Sequence, residues 1–329
     1  MEAQQQQNQV DQEAQVTKSK YWDSFASLYD QKIQSVATQP FITLCTQVHL
    51  EDSKRILEVA CGGGHHSILL ASHYLKRGSA LVSCDFSKQM MEMTQAKFQD
   101  KEVSGSYTYV PGNKFKIVAD EVVPFGDHSF DIEEQLRENG VTENERFVFG
   151  CQANNESLPF KDQSFDCYIS NLSLMLVDNH MNQLREAFRV TQSGSYLAFT
   201  VWGRKEHCNN FSILGEVYEN NDLGPKEKPA KTNWHLGQDQ QKLKSELESV
   251  GFDNIHMWYQ PMNFPYRTFE EFYESIFQQP TSAATLATLD EAGKNKIKED
   301  ARKLFDERMG KNVLDPESFE VMIVVCQRP

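Results

Sequence analysis

The chain is predicted to fold as an α/β protein built on a doubly wound, mostly parallel sheet. Two observations carry this. Short apolar runs of strand length alternate with amphipathic helical stretches, the order a parallel sheet with crossover helices requires. One run, Ile56 to Ala60, breaks into Gly62-Gly63-Gly64 and passes at once into a helical segment, Ser67 to Tyr74, so a strand, a tight turn and a helix follow each other without a gap. At 329 residues the chain is long enough to bury a sizeable core as one domain spanning 18–329.

Residues 1–17, rich in glutamine and without apolar periodicity, are expected to be disordered. They lack the apolar centre of a signal peptide and carry no arginine, which leaves a cytoplasmic address by default. Residues 18–50 form a helical cover: large apolar residues recur at helical spacing from Tyr21 to Asp30, and a second helical stretch is expected around Phe41 to Val48. After the glycine turn, Ala80 to Asp85 is a second strand ending in an acid, and Ser87 to Phe98 is the next helix.

Residues 101–145 read as an insertion, on the surface or mobile. Within it Val123-Pro-Phe-Gly-Asp-His-Ser-Phe-Asp131 nearly copies Leu158-Pro-Phe-Lys-Asp-Gln-Ser-Phe-Asp166 downstream. A partner-binding role for it has no support in the sequence. Strands are then expected at Arg146 to Gln152, Cys167 to Leu172 and Ser195 to Trp202, with a helix from Asp178 to Val190. In 204–310, mainly substrate-cover elements, Asn220 to Asn233 is a polar connection. Asp239 to Val250 is a helix closed by Gly251, and Asn254 to Tyr259 is a strand. An aromatic group from Trp258 to Phe277 covers the core and can wall a pocket. Thr288-x-x-Glu291 is expected to box a long helix ended by Gly310, and Phe319 to Cys326 is the last strand.

A net charge of −14 argues against nucleic acid or anionic membranes as partners. No apolar run approaches the roughly 18 residues of a membrane span. Seven cysteines are scattered without C-x-x-C spacing, so reduced, buried thiols are expected and no metal site.

Glycines let a backbone approach a ligand, and the first turn of the following helix directs N–H groups at it. Gly62-x-Gly64-x-x-Ser67 is compatible with a dinucleotide fingerprint lacking its third glycine, a weak signal alone. Asp85, about twenty residues on, is placed to accept from two ribose hydroxyls, which suits NAD and adenosyl cofactors alike.

The run Ile56-Leu-Glu-Val-Ala-Cys-Gly-Gly-Gly64, with Glu58 closing the strand, resembles the first motif of class I S-adenosylmethionine-dependent methyltransferases. The phrase Asn154 to Asp166 and the entry segment Trp22-x-x-x-Ala26-x-x-Tyr29-Asp30 are similar to those of the ubiquinone/menaquinone-type members. The resemblance implies a seven-stranded, Rossmann-like sheet with an antiparallel last strand, and S-adenosyl-L-methionine as cofactor. It implies transfer of a methyl group to a small-molecule acceptor by in-line displacement.

Residue by residue, the resemblance gives Gly62, Gly63 and Gly64 to the methionine part, Asp85 to the ribose and Asn154 to the adenine, with Glu58, Phe86 and Asn155 also among the cofactor-binding residues. Ser170 and Asn171 line the methyl channel, and Tyr29 is the lid. Family members most often have glycine at position 60, aspartate at 154 and His-His at 175 and 176, where this chain has Ala60, Asn154, Met175 and Leu176. The catalytic residue is unknown, with Tyr29, His65, His66 and Asn171 as candidates; a base is needed only if the acceptor must lose a proton. A protein methyltransferase, a non-catalytic cofactor-binding scaffold and an NAD-dependent oxidoreductase remain open.

Overall fold

Apolar runs with both faces buried make the central strands, since a sheet covered by helices on each side must be apolar there, whereas the edge strand Asp253–Pro261 is more polar and part-exposed. The computed structural model describes residues 18–99, 114–117, 128–223, 233–309 and 319–329. Two helices, α1 (residues 18–32) and α2 (Gln34–Gln47), precede β1 (Arg55–Val59). Then follow α3 (His65–Leu69, continued by a wide turn to Tyr74), β2 (Ala80–Asp85), α4 (Lys88–Gln99), β3 (Lys114–Ile117), α5 (Ile132–Glu138), β4 (Phe147–Gln152) and β5 (Phe165–Ser170). Next come α6 (His180–Val190), β6 (Thr191–Trp202), α7 (Asn209–Asn220), α8 (Gln240–Val250) and β7 (Asp253–Pro261). The chain closes with α9 (Phe269–Phe277), α10 (Pro280–Leu286), α11 (Glu291–Arg308) and β8 (Glu320–Gln327).

The strands form one sheet in the order β3-β4-β2-β1-β5-β6-β8-β7. Every pair is parallel except those of β8, which runs antiparallel to both β6 and β7. All seven expected strands are present. An eighth, β3, comes from the 101–145 region and extends the edge by pairing with β4. The chain winds from β1 out through β2 to β4 and then crosses back to β5, so the order reverses at β1 and β5. Ligands of open α/β sheets bind in the crevice beyond the carboxyl ends of strands at such a reversal.

Alternate residues of the central strands feed two cores. Ile56, Leu81, Val148, Ile169 and Ile323 face α2, α3, α7, α9 and α11, while Leu57, Val82, Phe149, Tyr168 and Val324 face α5, α6 and α8. Only the end of the first of the near-copied phrases is among the described residues, and it lies against the second: Phe130 bridges Phe160 in parallel, and its N–H donates to the Pro159 carbonyl at 2.9 Å. Asp131 caps α5 and takes Lys161 Nζ at 2.8 Å.

Several boundaries differ from expectation. α2 begins at Gln34 rather than near Phe41, carrying Pro40 in its middle. The Thr288-x-x-Glu291 box does not form; Asp290 caps α11 through the Gly293 N–H at 2.8 Å, and Thr288 turns back to the Thr285 carbonyl. Gly251 does close α8, at φ 116°. The expected tail 1–17, most of 101–127, the middle of the 220–233 connection and Gly310 lie outside the described residues.

Candidate functional site

The glycine turn is held from three sides. Asp85, at the end of β2, accepts from the Gly62 N–H and the Ser87 N–H, each at 2.9 Å, so one carboxylate fixes both the turn and the entry to α4. From α4, Thr94 Oγ1 donates to the Gly62 carbonyl at 3.0 Å, and a Cβ on Gly64 would come within 2.6 Å of Thr94. From above, α1 closes over the turn. Asp30 lies 2.6 Å from where a Gly63 Cβ would be, and Lys97 bonds both Asp30 and, at 2.7 Å, the Gly63 carbonyl. Tyr29 and Gln34 meet the corresponding point on Gly62 at 3.2 and 3.0 Å.

Burial shapes the electrostatics. Glu58 is 2% exposed and accepts from Ser67 and Ser83, tying β1 to α3 and β2; desolvation pushes its carboxyl up to about 7. Asp85 is pushed up to about 6, again chiefly by burial. Burial, reinforced by the Asp85 and Asp30 carboxylates, raises the Tyr29 phenol well above its ordinary range, so it stays neutral. Beside Asp85, the Ala153 N–H donates to its carbonyl at 2.9 Å and brings Asn154 and Asn155 to the same end of the sheet. Asn154 Oδ1 is committed to the Glu156 N–H at 3.0 Å, whereas Asn155 Oδ1 is buried without a partner. Gln34 Oε1, over Gly62, is likewise buried and unpartnered. The Phe86 carbonyl accepts from Gln152 at 3.0 Å and Ser19 at 3.3 Å.

Sequence comparison finds two methyltransferase families along the chain. The profile of the ubiE/COQ5 methyltransferase family matches residues 3–133, and that of the methyltransferase domain matches residues 132–199. Both matches are to methyltransferases, and between them they run from residue 3 to residue 199. The ubiquinone/menaquinone biosynthesis C-methyltransferase UbiE of Cronobacter sakazakii is 31% identical over 135 residues, 38% of this chain and 52% of that protein. Its counterpart in Erwinia tasmaniensis is 33% identical over 132 residues, 37% and 51%. The chain thus spans about half the length of the curated relatives it matches. Among solved structures, Haemonchus contortus phosphoethanolamine N-methyltransferase 2 in complex with S-adenosyl-L-methionine is 12% identical, with a TM-score of 0.46, over 89% of this chain and 52% of that one.

The structure gathers Tyr29, Gly62, Gly63, Gly64, Asp85 and Phe86 around one turn, with Asn154 and Asn155 adjoining. It gives other expected site residues different work. His66 is corrected from candidate base to core: its ring stacks on Phe41 at 4.1 Å, bonds Thr38 at 3.0 Å, and burial lowers its pKa to about 3. Ser170 turns into a buried knot with Ser173 and Gln183. Asn171 donates to the Ala37 carbonyl at 2.9 Å and accepts from Thr200 at 2.7 Å, joining β5 to α2. His65, half-buried, has its pKa lowered by burial and then by Lys97. Sequence reasoning missed Gln34, Thr94 and Lys97; the only signal was a polar residue on an otherwise buried helical face, which becomes informative once its neighbours are known.

Proposed function

We propose that the chain is an S-adenosyl-L-methionine-dependent methyltransferase acting on a small-molecule acceptor. One observation carries the choice of cofactor: two buried, unpartnered side-chain acceptors, Gln34 Oε1 at the glycine turn and Asn155 Oδ1 beside the Asp85 end of the sheet. A buried polar atom left unpaired costs about 1–3 kcal/mol, so each is a place for a ligand donor. The ligand's α-ammonium and adenine amino group are such donors, and Asp85 keeps lone pairs free for two ribose hydroxyls.

The bound cofactor supplies an activated methyl group whose leaving group is already good. The chain's share is to align the acceptor and exclude water. Tyr29, neutral and packed over Gly62, closes the site rather than taking a proton. Asn171 sits at the end of β5 with both polar atoms engaged, fixing backbone geometry there. His65, kept neutral near pH 7, is the candidate able to accept a proton if the acceptor carries one. The UbiE relatives are named C-methyltransferases, and analogy with them favours a carbon acceptor. Seven buried free thiols suit a reducing compartment, which keeps a cytoplasmic address within the proposal. Among the described residues no helix is long and apolar enough to cross a membrane.

The test is transfer from methyl-labelled S-adenosyl-L-methionine in a cell extract. Label is expected in the small-molecule fraction, with Asp85→Ala transferring far less because cofactor binding falls about 10- to 100-fold. Label appearing only in protein would contradict the small-molecule assignment.

A further inference from the structure

The carboxyl ends of β5 and β6 lead to polar groups that the cofactor does not use. Asn209 and Asn210 open α7, 2% and 1% exposed, and neither side-chain Nδ2 meets an acceptor. The indole Nε1 of Trp234 is also buried without a partner. The Trp234 ring lies 5.5 Å from Phe211, the residue after Asn210, and 4.6 Å from Trp202, the last residue of β6. Asn210 Oδ1 accepts from the Phe211 N–H at 2.9 Å, which fixes the amide's orientation and identifies Nδ2 as the unsatisfied end.

All three orphans are donors. α7 has no side-chain cap and no acidic residue in its first turn, so the positive end of its dipole lacks a protein counter-charge. The group stands at the same end of the sheet as Asn171. Asn233 donates through its backbone N–H to the Met175 carbonyl at 2.7 Å and through Nδ2 to the Val177 carbonyl at 2.8 Å, anchoring Trp234 to the segment after β5. The Leu172 N–H donates to Thr200 at 2.8 Å, joining the tops of β5 and β6.

We propose that these residues recognise the methyl acceptor and that it is a carboxylate on a flat, apolar body. A carboxylate brings several lone pairs and a negative charge to two amide N–H groups and an indole N–H, whereas a hydroxyl brings one uncharged oxygen to the same three donors. Trp202, Phe211 and Trp234 offer faces for the apolar body. The proposal rests on the methyltransferase reading.

It is tested by calorimetric titration of the full chain, saturated with S-adenosylhomocysteine, with benzoate and with its neutral counterpart benzyl alcohol. Benzoate is expected to bind at least about tenfold more tightly. Asn210→Asp keeps an oxygen for the Phe211 N–H and replaces the donor with an anionic oxygen. It should abolish the preference while leaving S-adenosylhomocysteine affinity unchanged. Asn209→Asp serves the same purpose should the first variant fold poorly. Equal or tighter binding of benzyl alcohol, no benzoate binding to the loaded protein, or an undiminished preference in the folded variant overturns the subsite alone. A chain that refuses S-adenosylhomocysteine overturns the methyltransferase reading and the subsite with it.

Discussion

Ala60 sits at φ 58°, a left-handed conformation that costs an L side chain roughly 1–2 kcal/mol. Family members place glycine there, and the structure supplies the physical reason: the chain must turn sharply between β1 and the glycines. Ala60→Gly is expected to raise stability by about 1 kcal/mol, less what the freer unfolded chain takes back, as read from urea midpoints. Titration gives a second residue-scale prediction. Glu58 keeps its proton up to about pH 7 in the fold, above an ordinary glutamate, so its stabilising contribution is full in acid and is lost as pH rises through about 7. Asp85, raised to about 6, acts in the same direction. His66, lowered to about 3, acts oppositely: its contribution is full above the usual imidazole value and is lost as pH falls toward about 3. Glu58→Gln should therefore flatten the decline in stability between about pH 5 and 7.5 relative to the parent; an unaltered slope would mean that Glu58 is ionised in the fold. At this scale the glycines and Asp85 were legible because backbone chemistry demands them. Asn171 and His66 were not, because an isolated polar letter does not say which partner satisfies it.

At the scale of elements, the phrase Asn154 to Asp166 has a largely structural use. Phe160 and Phe165 are fully buried, and Asp166 accepts from the Lys54 and Arg55 N–H groups at 2.8 and 2.9 Å, holding the entry to β1. Arg189 grips the same loop through the Phe160 carbonyl at 2.7 Å and the Leu158 carbonyl at 3.0 Å. Phe130 and Asp131, at the described end of the near copy upstream, lie beside it, a pairing that no periodicity announces. The cover α1 is fastened to the glycine turn by Lys97, which bonds Asp30 and Gly63 together. Lys97→Met keeps the stem and removes the charge, leaving Asp30 part-buried and unpaired. Amide hydrogen exchange over residues 18–32 is expected to accelerate with protection in β1 and β2 unchanged; equal protection in both proteins would show that the cover is held by its apolar face alone. Helix and strand types were readable from apolar spacing, but ends such as Gln34 and Asp290 depend on local bonds that spacing does not encode.

For the whole molecule, the antiparallel last strand was implied by resemblance and is reproduced by pairing: β8 inserts antiparallel between β6 and β7, and the order reverses at β1, which leads into the glycine turn. The eighth strand, β3, was missed because its alternation, Lys114-Phe115-Lys116-Ile117, spans only four residues within a largely polar region. The most direct test of the account is calorimetric titration of the full chain with S-adenosylhomocysteine, with NADH as the comparison. The account predicts one molecule of S-adenosylhomocysteine bound per chain and no heat from NADH; binding of NADH alone, or of neither, would contradict it.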